Sequence, residues 1–124
     1  MAMNGINMPL TPIGSEAVWY ETLQEFNFTK EEALGFISGP AFWAWQLMTN
    51  IDSYISPKSE EYVYNRLELG KKIIERCIEF GMQPIQQGFS GHVPTLLKEK
   101  CPNAAILNAK RHGVFIQKRH SLTR

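Results

Sequence analysis

The chain lacks any stretch apolar enough to span a membrane: no run approaches the roughly 20 residues such a helix takes. No basic stretch precedes an apolar core at the N-terminus, so no signal peptide is visible and no compartment is assigned. Cysteine is scarce, and Cys77 and Cys101 fit neither a disulfide framework nor a metal spacing. His92, His112 and His120 have no metal spacing with one another or with the cysteines. No Gly-rich phosphate loop is present. Gly88-Phe89-Ser90-Gly91-His92 lacks the last glycine of a Gly-x-Ser-x-Gly elbow. These absences lead us to expect no metal, no cofactor and no membrane partner. At 124 residues the chain allows one domain, and it is too short for a complete eight-stranded βα barrel, which takes about 250 residues.

What is present reads as globular, with 44% hydrophobic and 20% charged residues. The net charge of +1 is unevenly spread. Residues 108–124 hold Lys110, Arg111, Lys118, Arg119 and Arg124 and no acid. The remaining 107 residues therefore carry eight basic and twelve acidic side chains. The sequence thus divides into a mildly acidic part, 1–107, and a basic tail, 108–124. Five basic residues with no interleaved aromatic platform are weak evidence for the rival reading of a nucleic-acid arm, so no nucleic-acid partner is expected.

Taken in order, Asn4-Gly5 is a stop signal that suggests a preceding helix, and residues 6–10 read as a short strand. Pro9 restricts that strand to an edge or an end. Ser15 can cap a helix to about Phe26, with Val18, Leu23 and Phe26 as its apolar contacts. Thr29 with Glu32 is a capping box for a second helix to about Ile37. Gly39-Pro40 starts a third helix, to Met48. Ser59 caps a long helix to Phe80, stopped by Gly81. Val63, Leu67, Gly70, Ile74 and Cys77 give it one buried stripe, and Glu68 with Lys72 forms an i,i+4 pair. A second strand follows from Gln83 to about Phe89, then a short helix over 93–100 and a third strand over 104–107.

Strands separated by helices predict an α/β fold with a parallel sheet. The two clear strands lie about 75 residues apart, against about 30 for a plain βαβ unit. The excess marks residues 11–58 as an insertion after the first strand, at the end where parallel α/β folds carry their sites. Trp19, Trp43 and Trp45 all fall in it. Two or three parallel strands leave edges unpaired, which predicts a piece of a larger domain. The alternatives are a small open α/β domain, or one that dimerises; the sequence assigns no oligomeric state.

The least charged stretch is Gly39-Pro40-Ala41-Phe42-Trp43-Ala44-Trp45-Gln46-Leu47-Met48. Phe42, Trp45 and Met48 share one helical face, while Trp43 points elsewhere. Such a helix is either buried or lines a cavity. The string resembles the Gly-Pro-Ala-Phe-x-Ala-Trp segment of the α-N-acetylglucosaminidase family of glycoside hydrolases. Upstream, Met3-Asn4-Gly5-Ile6-Asn7 and Glu16-Ala17-Val18-Trp19 match the family in order. Phe80-Gly81-Met82-Gln83-Pro84-Ile85 and Ser90-Gly91-His92-Val93-Pro94 do so downstream.

The resemblance spans residues 1–107 and implies a fragment of a (β/α)8 TIM-type catalytic barrel. It would comprise about two to three βα units, with the helical insertion after the first strand. It implies removal of terminal α-linked N-acetylglucosamine from glycans, with retention, by enzymes that are often secreted or lysosomal. A glycan containing N-acetylglucosamine is therefore the expected partner. Trp45 matches a tryptophan lining the family's sugar pocket, and Met48 and Glu16 match positions near it. Glu16 has the alternative of holding its loop by hydrogen bonds. His92, just past a strand end, has two readings: ligand contact, or a loop histidine bonded to backbone.

Retaining glycosidases need two carboxylates about 5–5.5 Å apart. The resemblance places both on later strands, the acid/base after an asparagine, and this sequence has no Asn-Glu dipeptide. No catalytic residue is therefore assigned, and the chain alone is expected to be inactive. Residues 108–124 depart from the family pattern, which suggests a frameshift or a truncated gene. The rival reading is a non-catalytic carbohydrate-binding or protein-interaction module. A module should melt cooperatively and bind sugar, whereas a fragment should expose apolar surface to a hydrophobic dye.

Overall fold

The computed structural model describes residues 1–108 and 115–117. Five helices dominate: α1 (Ser15–Glu25), α2 (Lys30–Phe36), α3 (Trp43–Leu47), α4 (Glu60–Glu79) and α5 (Leu97–Lys100). Two short strands follow, β1 (Ile106–Asn108) and β2 (Phe115–Gln117). None of the described helices is long and apolar enough to cross a membrane.

The two expected segments meet in parallel, but through a single isolated bridge and not as two strands. Leu10 and Ile85 form one parallel bridge. Around it Gln83 donates to Asn7, Ile85 to Pro9 and Thr11 to Ile85, at 2.7, 2.9 and 2.9 Å. Gln86 to Phe89 do not continue the ladder. The Gln86 amide turns to the Thr11 hydroxyl, 3.2 Å away, and Gln87 turns to the Leu47 carbonyl, 2.7 Å away. The third strand differs in its partner. β1 pairs antiparallel with β2, Leu107 opposite Ile116, and adds no parallel strand. The rest of the basic tail, residues 109–114 and 118–124, lies outside the described residues.

The core is built between α1, α2 and α4. Ala17, Tyr20 and Leu23 of α1 meet Ala33, Leu34 and Phe36 of α2, together with Ile37, Trp43 and Val63. On α1 the buried face is therefore 17/20/23; Val18 and Phe26, expected as contacts, face solvent because α1 is wedged between α2 and α4. Val63, Gly70 and Cys77 of the expected α4 stripe are buried, and Leu67 packs beside the core. Gly70 is required there, since a Cβ would run into the Ile13 carbonyl. That close approach seats α4 directly on the turn leaving the first strand.

Local signals decide most helix ends. Thr29 and Glu32 form the full capping box, each side chain bonded to the other's backbone N–H. Gly81, at φ +71°, ends α4 with Gly81 donating to Ile78 and Met82 to Cys77, the paired bonds of a Schellman stop. Ser15 does not cap α1. Gly14 takes the cap position in a left-handed conformation, and the Ser15 hydroxyl instead donates to the Pro12 carbonyl at 2.6 Å. Glu68 pairs with Lys71, at i+3, rather than with Lys72.

A candidate carbohydrate-facing surface

The third helix is shorter than Gly39-Pro40 promised. Residues 40–42 form a turn closed by Phe42 N–H on the Gly39 carbonyl, 2.9 Å, and α3 begins at Trp43. Its two faces are chemically alike and differently placed. Trp43 is 2% exposed and belongs to the core, its indole N–H reaching the Pro12 carbonyl at 3.4 Å. Trp45 and Met48 are 55% and 57% exposed. Phe42, on their side, is half-buried and stacks edge-on with Tyr54, ring centres 4.5 Å apart. This face therefore presents apolar side chains outward from a helix whose other face is packed. Neither Trp45 nor Met48 is needed by the core.

Buried polar groups hold this helix from behind. The Gln46 amide accepts from Ser38 N–H at 2.6 Å and donates to the Phe36 carbonyl at 2.9 Å. His92 is 2% exposed. Its Nδ1 lies 3.4 Å from the Gln46 carbonyl and its Nε2 2.9 Å from Asp52 Oδ2. Its ring sits edge-on to Phe36, centres 5.4 Å apart. Burial opposes the Asp52 charge, but hydrogen bonds from His92 and Ser53 outweigh it and hold the carboxyl below the usual aspartate range.

The loop carrying Asp52 is strapped to the α2–α3 connection. Ser53 N–H meets the Phe36 carbonyl, Tyr54 N–H the Ser38 hydroxyl, and Gly39 N–H the Tyr54 carbonyl. Thr49, Ser53 and Ile55 take positive φ values of 64°, 58° and 50°. For the β-branched pair, Thr49 and Ile55, this is backbone strain.

Glu16 is placed differently from Trp45 and Met48. It is 0% exposed, with Oε1 on Arg66 Nε at 2.9 Å and Oε2 accepting from Gly14 N–H at 2.7 Å. The structure thus brings His92 up against α3 and puts Glu16 inside, at the start of α1. Sequence reasoning missed Asp52 and Gln46. Gln46 had a signal, as the lone polar residue in an apolar helix. Asp52 had none, because its partner is 40 residues away. A separate groove of about 630 Å³ lies between α1, α4 and residues 86–89, walled by Val18, Trp19, Leu67, Ile74 and Phe89, and none of the four candidates lines it. Among the described residues no three metal-ligating side chains cluster.

Residues 1–123 match the family described as the α-N-acetylglucosaminidase (NAGLU) TIM-barrel domain. The chain belongs to that family of glycoside hydrolases. Human α-N-acetylglucosaminidase is 32% identical over 115 residues, covering 93% of this chain and 16% of the human protein. A family 89 glycoside hydrolase from Clostridium perfringens, solved with 2-acetamido-1,2-dideoxynojirmycin, is 38% identical with a TM-score of 0.86 over 93% of this chain. The same Clostridium enzyme, solved with its substrate GlcNAc-α-1,4-galactose, gives a TM-score of 0.87 at 38% identity over 94% of this chain. The chain spans 14% of each Clostridium chain. These matches bear out the α/β class and the α-N-acetylglucosaminidase resemblance.

Proposed function

We propose that this α-N-acetylglucosaminidase-family chain supplies part of the wall that receives terminal α-linked N-acetylglucosamine. On this reading residues 1–107 are two to three βα units of a (β/α)8 barrel, with 11–58 inserted after the first strand. Trp45 and Met48 meet the sugar, and Glu16 and His92 keep the wall in shape from inside. The catalytic carboxylates lie outside the chain, which therefore turns over no substrate by itself.

The carrying observation is the outward face of α3. Trp45 stands more than half exposed on a helix whose other face is locked by Trp43 and Gln46. Support also comes from the Clostridium relative's substrate, GlcNAc-α-1,4-galactose. The lack of turnover is supported by Glu16, the glutamate nearest the first strand's end, which is sealed against Arg66 and cannot face a glycosidic bond. A retaining reaction needs two free carboxylates about 5–5.5 Å apart.

The test uses the 124-residue chain. N-acetylglucosamine should alter its tryptophan emission, and Trp45→Ala should abolish the change. An aryl α-N-acetylglucosaminide should release no aryl alcohol. Release that Glu16→Gln abolishes would overturn the inactive reading. An emission change that survives Trp45→Ala would move the contact off α3.

A further inference from the structure

Asp52, His92 and Gln46 come from three separate segments and meet behind α3. The Asp52 side chain is three-quarters buried and His92 nearly wholly so. A carboxylate 2.9 Å from Nε2 can be satisfied only if that nitrogen carries a proton, so Asp52 dictates which ring nitrogen is the donor. With the ring thus oriented, Nδ1 lies 3.4 Å from the Gln46 carbonyl, one residue beyond Trp45. Both ring nitrogens face acceptors, so this contact is a hydrogen bond only where Nδ1 also carries a proton, and otherwise the ring bears on α3 by packing. Phe36 closes the ring's other side, edge-on. Asp52 itself cannot drift. Its Oδ1 accepts from the Ser53 hydroxyl at 2.8 Å, and the Ser53 and Tyr54 amides pin the loop to Phe36 and Ser38. The backbone of this loop takes left-handed conformations at Thr49, Ser53 and Ile55.

We propose that Asp52 is a positioning residue for the sugar-facing helix: through the His92 ring it fixes α3, and with it the direction of Trp45 and Met48. This rests on the reading of Trp45 as a sugar contact. Stacking of an indole on a pyranose face depends on orientation, and misplacement of a contact group by about 1 Å weakens a site severely. The Gln46 side chain performs the same service from the same residue. Its amide anchors α3 to the Phe36–Ser38 backbone, so Gln46 is held twice, at its side-chain amide and beside its backbone carbonyl, where the Asp52–His92 pair meets it.

The experiment compares the wild-type chain with Asp52→Asn, which keeps an acceptor and loses the charge, and Asp52→Ala, which loses both. In nitrogen-15 spectra the wild type should show a His92 Nε2–H signal protected from exchange. Asp52→Asn should retain it and Asp52→Ala should lose it. The Trp45 indole resonance, assigned with Trp45→Ala, should shift in Asp52→Ala while circular dichroism stays helical. N-acetylglucosamine affinity should fall about tenfold in Asp52→Ala and less in Asp52→Asn, the lower end of the loss found when the partner orienting a metal-ligating histidine is removed. A folded Asp52→Ala with unchanged affinity and an unmoved Trp45 indole overturns the proposal. So does a wild-type His92 protonated on Nδ1 alone, a result that needs no variant to fold. If the wild type binds no sugar, the functional reading fails, and the Trp45 indole shift still decides whether Asp52 holds α3.

Discussion

Arg66 reaches from α4 to Glu16 at the first turn of α1, closing a 2.9 Å ion pair over a carboxylate with no solvent exposure. The second carboxylate oxygen takes the Gly14 N–H, one of the donors that a helix start leaves unpaired. Glu16 therefore joins two helices and caps one of them. Losing one partner of a buried pair strands the other. Glu16→Gln should destabilise the chain by about 3 kcal/mol, toward the low end for such pairs because Arg66 keeps some contact with water. Urea unfolding followed by circular dichroism measures this. Loss below about 1 kcal/mol would show that the pair is screened like a surface bridge.

Trp43 and Trp45 stand two residues apart and should behave oppositely. Trp43 is core, and Trp43→Ala should cost about 3–5 kcal/mol through the cavity it leaves. Trp45 is more than half exposed, and Trp45→Ala should change stability by no more than about 0.5 kcal/mol. Thermal melts of the two variants beside the wild type make the comparison. Equal losses would mean that Trp45 packs inward in solution and offers no face to a ligand.

Interactions within a few residues were legible in the sequence. Thr29 to Glu32 and Gly81 after α4 follow from spacing alone and are as the pattern implied, and of the 63/67/70/74/77 stripe Val63, Gly70 and Cys77 are buried while Leu67 and Ile74 are half-buried. The family strings, too, carried the fold class. What could not be read depends on distant partners. Ser15 looks like a cap, but the left-handed Gly14 and the side chain of Glu16 take over that end of α1. Trp43 and Trp45 are chemically identical, and only the packing of α3 against Pro12 decides which is inside. His92 had two readings because its partner, Asp52, is brought to it by a loop whose strained backbone no propensity predicts. The second strand ends early, and past it the Gln86 and Gln87 side chains bond to Thr11 and Leu47, which are distant in sequence.

Tyr20 sets an alkaline limit. Its phenol is buried and donates to Glu60 at 2.9 Å, with Lys30 on the same oxygen at 3.0 Å. Burial first, and then the Glu60 acceptor, push the phenol up from 10.0 to about 12. The unfolded chain therefore releases this proton before the folded one does. Stability from Tyr20 is complete below about pH 10 and disappears as pH rises through about 12. The Lys30 ammonium is also raised, by the same Glu60, and adds a smaller slope of the same sign because it is exposed. Tyr20→Phe should flatten the fall of the urea midpoint over this window without removing it. A slope unchanged by Tyr20→Phe would assign the alkaline transition to Lys30 or to groups outside this cluster.

Gly35 and Gly70 are both helical, and the same substitution should act on them in opposite directions. A Cβ at Gly35 meets nothing within 4 Å. Gly35→Ala then gains helix propensity and a stiffer unfolded chain, and should stabilise by about 0.5–1 kcal/mol. At Gly70 the same propensity gain is available, about 1 kcal/mol. It is set against a Cβ driven into the Ile13 carbonyl, a backbone atom that cannot swing aside. Overpacking costs about 1–3 kcal/mol, and a clash with backbone lies at the upper end, so the clash wins and Gly70→Ala should lower stability by about 1–2 kcal/mol net. It should also lift α4 from the turn that follows Leu10, and so loosen the Arg66–Glu16 pair one turn earlier on α4. Thermal midpoints of the two variants give the signs directly. Should Gly70→Ala be neutral, the contact between α4 and the Ile13–Gly14 turn is looser than the structure has it, and α4 does not fix the start of α1.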